Sequence, residues 1–382
     1  MEGSAPKSVQ VRTARWRIIT AWVLIVIATL VALGASLDVW VKRQALDTDN
    51  WTAASSNMLE NDQIREALSI YLVDQLYANV DVQARLEQRL PDRFDALAAP
   101  LAAALRQAAI RAADTLLGRP RVQEAWKLAN RHAHELFIAV IDNKTKRLQT
   151  TNGEVVLDLR PLIAQLAQDQ GLGAKIAQKL PPDAGRLVIL KSKQLKTAQT
   201  AVRTIRAMSY FLGILVLALY ALAAFLAGVG RRRTMIMASG FSLLLVGIAL
   251  LVIRRLAGHW LVDSLTTNID FKPATAAAWS IGTHLLRNVG INLLAYGTAI
   301  VAAAWLAGGS RPATAIRRWL APTLREHPVV VYGVVTIGLL IFLAAGPTDA
   351  SRLIPLLILF ALAYVGVEVL RRQTAREFPG TG

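Results

Sequence analysis

Long apolar runs fill the second half of the chain, and one more lies near its start. The hydrocarbon core of a bilayer is roughly 30 Å thick, so an apolar run of about 18 residues can cross it as a helix. Five runs pass this test without a charge, and a sixth holds one, Glu368, near its end. The pattern predicts six transmembrane helices: Ile18–Leu37, Ala207–Gly230, Thr234–Ile253, Asn288–Ser310, Pro328–Thr348 and Leu353–Leu370.

Residues 42–206, between the first two runs, show instead the three- and four-residue steps of amphipathic helices. Asn61 is placed to cap one of these helices, and a helix from about Ser192 is expected to continue directly into the second span. The alanine-rich stretch 93–117 resembles another span. Its charged residues predict a packed helix outside the membrane instead, ending before Pro120.

Residues 121–142 carry a continuous apolar stripe: Val122, Ala125, Trp126, Ala129, Ala133, Leu136, Phe137 and Val140. His132 and His134 lie about 200° apart on this helix and so fall on opposite flanks of the stripe. Two zinc ligands on one helix are typically four residues apart, so the pair is not expected to hold a metal together, although either could join distant ligands. We expect both histidines at the boundary of the core and Trp126 at its centre.

A small β element is expected next. Asn152-Gly153 stands between two extended runs in LQTTNGEVVLDL, which is a strong hairpin signal, and GRLVILK at 185–191 is a candidate third strand. The Gly171-Leu172-Gly173 turn lacks the third glycine of a dinucleotide site and is interpreted as a helix stop.

Lysine and arginine are distributed unevenly between the two sides that six spans would create. Fourteen lie in the two tails and in the links after the second and fourth spans, against five in the other short links, among them Arg254 and Arg255. Cytoplasmic segments retain positive charge, so this predicts a multi-pass plasma-membrane protein with both termini inside. The expected division is 1–17 cytoplasmic basic tail, 18–41 first transmembrane helix, 42–206 extracytoplasmic domain, 207–370 five-helix transmembrane region and 371–382 cytoplasmic tail.

Composition excludes several classes of protein. The 382 residues are 54% hydrophobic, too apolar for one ordinary soluble domain. The net charge of +17 does not indicate nucleic-acid binding, because residues 42–206 hold 24 basic and 18 acidic residues, a net of only +6, and the inner-side arginines serve topology and anionic headgroups. The absence of cysteine excludes disulfides, thiol catalysis and cysteine metal sites. The first run resembles a signal peptide, but its 20 residues exceed the usual h-region of about 7–15.

Candidate chemistry within the membrane is sparse. Asn292 is the most interior strongly polar residue of the fourth span, and nothing resembles the mid-membrane carboxylate pair typical of proton relays. Apart from His132 and His134, the residues His259, Asp263 and His284 are the candidate metal ligands. Small residues predict close helix packing: Ala223, Ala224, Ala227, Gly228, Ala302, Ala303, Ala304, Gly333 and Gly338. We predict no catalytic, cofactor-binding or metal-ligating residues and no cofactor.

Residues 313–327 have the pattern of a helix lying on the cytoplasmic membrane surface. Apolar residues fall on one side and arginines elsewhere: Ile316, Trp319, Leu320 and Leu324 against Arg317, Arg318 and Arg325.

Three passages carry a resemblance: LDTDNWTAASSNMLENDQIREALSIYLVDQLY, PRVQEAWKLANRHAH and NGEVVLDLRPLI. Over roughly residues 17–255 the chain resembles an uncharacterised family of actinobacterial-type integral membrane proteins with a helical extracytoplasmic domain after the first span. The resemblance implies this layout and transfers no activity and no functional residue.

The expected fold class is membrane all-α: six transmembrane helices with a mainly helical extracytoplasmic domain carrying a small β-hairpin or sheet. The preferred function is a non-enzymatic membrane protein whose envelope-facing domain binds or senses a partner. The expected partners are the lipid bilayer and an envelope protein or lipid, with no nucleic acid. The alternatives are a transporter or channel component, and an envelope enzyme with an interfacial site.

Overall fold

The computed structural model describes residues 7–88, 91, 97–142, 150–151, 154–158, 186–266, 269–345 and 353–377. Its helices are α1 Lys7–Ala45, α2 Thr48–Glu60, α3 Asp62–Asn79, α4 Val82–Glu87, α5 Ala98–Leu117, α6 Pro120–Ile141, α7 Ser192–Leu226, α8 Arg232–Leu265, α9 Lys272–Gly282, α10 His284–Leu306, α11 Arg311–Glu326, α12 Pro328–Ala345 and α13 Leu353–Glu377. We call α2–α6 the head. Asn61 caps α3 by accepting from two backbone N–H groups, as predicted. The helix from Ser192 does continue into the second span.

The prediction of six spans is wrong. Among the described residues four helices are long and apolar enough to cross a membrane, Arg15–Ala45, Lys196–Leu226, Arg232–Leu265 and His284–Leu306, or up to five if α11 and α12 together form one. These helices make the chain a membrane protein by length and composition.

Over the described residues the two remaining predicted runs do not pass as single spans. Within the predicted span Pro328–Thr348, the segment Pro328–Ile341 counts only together with α11, from which it is bent by 111° at the break between them. In α13 the described side chains begin at Phe360 and include Glu368 and several arginines toward the end of the helix.

The small β-hairpin or sheet that was predicted as part of the fold class is also not supported. Over the residues whose side chains are described, the chain is 93% helical and contains no strand. Among the residues whose backbone is described, strand pairing occurs in three short antiparallel strands in the order β1 Thr150–Thr151, β2 Glu154–Asp158 and β3 Arg186–Lys191. The predicted turn residues Asn152 and Gly153 and the turn at 171–173 lie outside the described residues.

Helices α8 and α10 form an antiparallel hairpin held together by glycines. A Cβ on Gly297 would lie 2.8 Å from the Gly240 carbonyl oxygen, and a Cβ on Gly247 would lie 2.8 Å from the Gly290 carbonyl oxygen. The step of seven residues along one helix is matched by a step of seven back along the other, so the glycines meet in one register. Close backbone approach of this kind is a usual basis of helix packing in membranes.

This corrects the prediction about small residues. Gly333 and Gly338 have nothing within 4 Å of their added Cβ, whereas the four hairpin glycines, which the prediction omitted, make the contacts. Of the predicted alanines, Ala223 and Ala304 are buried, the first beside α1 and Met235.

Several chain positions meet at one end of this bundle. Arg233, at the start of α8, donates to the Ala304 carbonyl near the end of α10 (2.7 Å). Gln373, near the end of α13, donates to the Ala307 carbonyl (3.2 Å). Ala21 of α1 packs in a cluster with Ala223 and Met235. The first half of α1, the α7–α8 link and the end of α13 therefore lie at the same end of the bundle, and the head lies at the other.

Candidate functional site

The contact between the head and the membrane helices centres on His134, which is 4% exposed. Its Nε2 lies 3.2 Å from the carbonyl oxygen of Ala45, the last residue of α1, and its Nδ1 lies 3.0 Å from the Thr48 hydroxyl oxygen. A carbonyl only accepts, so Nε2 carries the proton and Nδ1 accepts from Thr48 in the neutral ring. His134 therefore ties α6 to the end of the first span with both ring nitrogens satisfied.

Aromatic contacts surround the same ring. Trp51 of α2 stacks on His134 with centroids 5.1 Å apart and an interplanar angle of 20°, and Phe137 lies at 6.0 Å. The Arg131 guanidinium donates to Asp49 across the same pair of helices (2.6 Å), and this hydrogen bond raises the pKa of Arg131. Helices α2 and α6 are thus joined by the exposed Trp51 ring stacked on the buried His134 ring, with an ion pair beside them.

The expectation that both histidines lie at the core boundary is wrong for His134 and describes His132 better, because His132 is exposed, 3.4 Å from Glu135. The placement of Trp126 at the core centre is also wrong: it is 40% exposed and its Nε1 donates to the Ser55 carbonyl (3.1 Å). Helix α2 covers the side of α6 that carries His134 rather than the middle of the apolar stripe. The buried face of α6 is therefore rotated around the helix axis from the face that the stripe predicts.

No group of three potential metal ligands is found within the part of the chain that the structure describes. Asp263 pairs with Lys272 (3.0 Å), while the His284 ring faces the Asn288 amide (3.5 Å).

A second connection joins the head to the α8–α10 hairpin through α9. Helix α9 packs on α2, α3 and α8. Trp279 of α9 lies against Gly258, where an added Cβ would lie 2.5 Å from the indole nitrogen, and donates to the Arg254 carbonyl (3.1 Å). The Arg254 side chain donates to Thr283 (2.8 Å), between α9 and α10. Arg254, which is one of the five basic residues on the side opposite the predicted cytoplasmic side, therefore links α8 to α9 and to the start of α10.

The head exposes a long apolar face along α5. Arg106 of α5 pairs with Asp74 of α3, and Asp114 of α5 accepts from Arg65 of α3 (2.9 Å), so these two turns face inward. Hydrogen bonds to Asp62 and Asp114 raise the pKa of Arg65. The opposite face is exposed throughout and almost wholly apolar: Leu97, Leu101, Ala104, Leu105, Ala108, Ala112 and Leu116.

A shallow depression of about 470 Å³ lies where the end of α3 and the start of α4 meet the first turns of α5. Alanines of α5 line one wall, Tyr77 and Val80 line the other, and Arg106 supplies a cation beside them. The depression lies on the α3 side of α5, away from the exposed apolar face.

The middle of the membrane bundle contains a hydroxyl cluster that sequence reasoning missed. Ser242 of α8 lies 2.6 Å from the Thr29 hydroxyl of α1 and 2.7 Å from the Tyr220 hydroxyl of α7. Thr29 also reaches the Ile25 carbonyl (2.7 Å). These groups hydrogen-bond to one another and so join three spans at mid-depth.

No family model matches the chain, and no curated protein or solved structure matches it at a significant level.

Proposed function

We propose that this chain is a multi-pass plasma-membrane protein, non-enzymatic, whose envelope-facing head binds the apolar face of a partner helix and reports that binding to the membrane hairpin. The observation that carries the proposal is the exposed apolar face of α5. An exposed apolar surface of this length marks an interaction site more often than it marks a solvated one.

The proposed orientation places the head outside and both termini inside. The first half of α1, the α7–α8 link and the end of α13 lie at one end of the bundle, and arginines concentrate there, including the three consecutive residues 231–233. Positive charge is retained on the cytoplasmic side, which supports assigning that end to the cytoplasm.

The shape of the α5 face supports a helical partner. Helix α5 has 20 residues and is about 30 Å long, and its exposed face consists mainly of leucine and alanine. Small residues let a second helix approach closely, and leucines at four-residue spacing supply the anchors of a helix-in-groove contact.

The proposed readout runs through the two connections. Binding on α5 acts on α3 through the Arg106–Asp74 and Arg65–Asp114 pairs, and α3 rests on α9. Helix α9 in turn fixes Trp279 against Gly258 of α8. The head and hairpin therefore share a continuous set of packed elements.

Site-specific photo-cross-linking tests the proposal in native membranes. A benzoyl-phenylalanine at Leu101 is expected to capture a discrete product whose cross-linked peptide is an apolar or amphipathic helix. The same probe at Gln107, exposed on another face of α5, should not capture it. Equal capture at both positions, a polar peptide, or a product made of two copies of this chain would overturn the proposed partner.

A further inference from the structure

Helix α11 has three different faces. Ala313, Arg317 and Leu324 are buried against the bundle. Ile316 and Trp319 form an exposed apolar face, with Trp319 77% exposed. Arg311, Arg318 and Arg325 are exposed and stand seven residues apart, which places them within about 40° of one another around the helix. A bundle side, an apolar side and a cationic side are what a helix needs to lie at a membrane surface.

Arg317 fixes this helix against the end of α10. Its guanidinium is 2% exposed and donates to Glu377 (2.9 Å), to the Gly308 carbonyl (2.5 Å) and to the Leu306 carbonyl. The last carbonyls of a helix have no partners within it, and a cation is favourable beside them. The expectation that Arg317 is a surface cation is therefore wrong, and the residue sets the rotation of α11.

Glu377 completes this lock from the end of α13. The hydrogen bond from Gln373 and the nearby Arg317 guanidinium lower the pKa of Glu377. The buried arginine thus keeps an ionised partner, and both helices are held where α10 ends.

The bend between α11 and α12 is compatible with a position of α11 near the membrane plane. Helix α12 leaves α11 at 111°, so when one of the two runs across the bilayer the other lies near its plane. With the buried side of α11 turned to the bundle, Trp319 projects at about 100° from the arginine row. Indole rings favour the headgroup level of a membrane, where the arginines can reach phosphates.

We propose that the row formed by Arg311, Arg318 and Arg325 is a binding surface for anionic phospholipid headgroups, with Trp319 inserted beside it at the acyl boundary. Successive arginines stand about 10 Å apart along the row, so the row is long enough to face more than one headgroup. Positive charge at this end of the bundle favours anionic lipids over neutral ones, and Arg371 and Arg372 are also exposed there. Guanidinium groups bind phosphate oxygens in bidentate geometry.

Native mass spectrometry of the full-length protein in a mild detergent tests the proposal. The delipidated protein is titrated with phosphatidylglycerol or with phosphatidylcholine. We expect preferential retention of phosphatidylglycerol, weakened at least about tenfold in the triple variant Arg311→Gln, Arg318→Gln, Arg325→Gln, since one arginine near an anionic surface contributes about fivefold. The control triple variant Arg111→Gln, Arg119→Gln, Arg121→Gln removes the same charge from exposed head positions and should retain the lipid.

Two further measurements distinguish lipid binding at this row from a general effect of charge and from binding of a free anion. In bilayers, brominated phosphatidylglycerol should quench less tryptophan fluorescence in Trp319→Phe than in the parent protein, while Trp126→Phe leaves the quenching unchanged. Equal loss of lipid in both triple variants would mean a general charge effect and would overturn the proposal. Displacement of the lipid by inorganic phosphate at equal concentration would also overturn it, because the row would then bind the free anion.

Discussion

The α8–α10 hairpin and the head are both built from antiparallel helices, but they treat apolar surface in opposite ways. In the hairpin, glycines bring two backbones into contact, and neighbouring leucines fill the space beside them. In the head, ion pairs join α3 to α5 while leucines on the far side of α5 remain exposed. The hairpin buries its apolar surface between its own helices, whereas the head leaves an apolar surface exposed that a partner could cover.

This contrast also separates rigidity from responsiveness. Tight backbone contacts have few alternative arrangements, so the hairpin is suited to be a fixed reference in the membrane. Segments with few buried apolar contacts open at lower free energy. The head should therefore be the part whose stability changes when a partner binds.

The largest expected effect is overpacking in the hairpin. Gly297→Leu would place a Cβ 2.8 Å from the Gly240 carbonyl oxygen and from Leu244 Cγ, and a backbone atom cannot move aside cheaply. We expect a loss of about 3 kcal/mol or more in the free energy of unfolding, measured by denaturant titration in micelles. Gly338→Leu, with nothing within 4 Å, is the control. Similar losses in both variants would contradict a special role for the hairpin glycines.

The junction should be next in sensitivity. His134→Ala leaves the Ala45 carbonyl and the Thr48 hydroxyl without their partner and opens a cavity beside Trp51. We expect about 2 kcal/mol less protection in α2 and α6, measured by hydrogen exchange on the full chain. His132→Ala, at an exposed position, should change protection by less than about 0.5 kcal/mol. Matching results for the two histidines would mean that the junction does not hold the head.

A smaller effect is expected at Trp126. A central core tryptophan would lose about 3–5 kcal/mol on truncation to alanine. The exposed ring and its single hydrogen bond to Ser55 predict about 1 kcal/mol instead, again by hydrogen exchange in α6. Trp126→Phe keeps most of the aromatic ring, so it should lose less hydrogen-exchange protection than the variant with alanine. A loss above about 3 kcal/mol would restore Trp126 to the core.

The sequence was sufficient for features that depend on local composition. Four apolar runs emerged as long helices because length and hydropathy alone decide whether a helix can span a bilayer. The Asn61 cap was also predictable, because its hydrogen bonds reach only two and three residues along the chain. The fifth run counts only together with α11, because hydropathy alone does not register the bend before α12.

The candidate site was not predictable because its contacts join distant parts of the chain. His134 and Thr48 are 86 residues apart, and Arg317 and Glu377 are 60 apart. His134 and Arg317 are both polar, so the sequence of each helix alone predicts an exposed side chain. Their burial depends on partners from distant parts of the chain. The glycines of α8 and α10 were accessible in principle, because their matching seven-residue spacing is visible in the sequence.

The smallest expected effect tests whether the α5 face is free to bind. Leu101 lies on the exposed side of α5, so Leu101→Gln removes little internal contact and should change the stability of the head by less than about 0.5 kcal/mol. The matched control is Leu59→Gln, because Leu59 is the same residue type but 2% exposed in α2. Burying an amide there without a partner should cost about 3 kcal/mol or more. Hydrogen exchange on the full chain measures the stability of both variants. In a second experiment, Leu105→Gln is combined with the cross-linker at position 101. Loss of the cross-linked product while the head keeps its stability would separate binding from folding. A strong loss of protection in Leu101→Gln would mean that this leucine is packed inside the protein, and the α5 face could not be the binding surface.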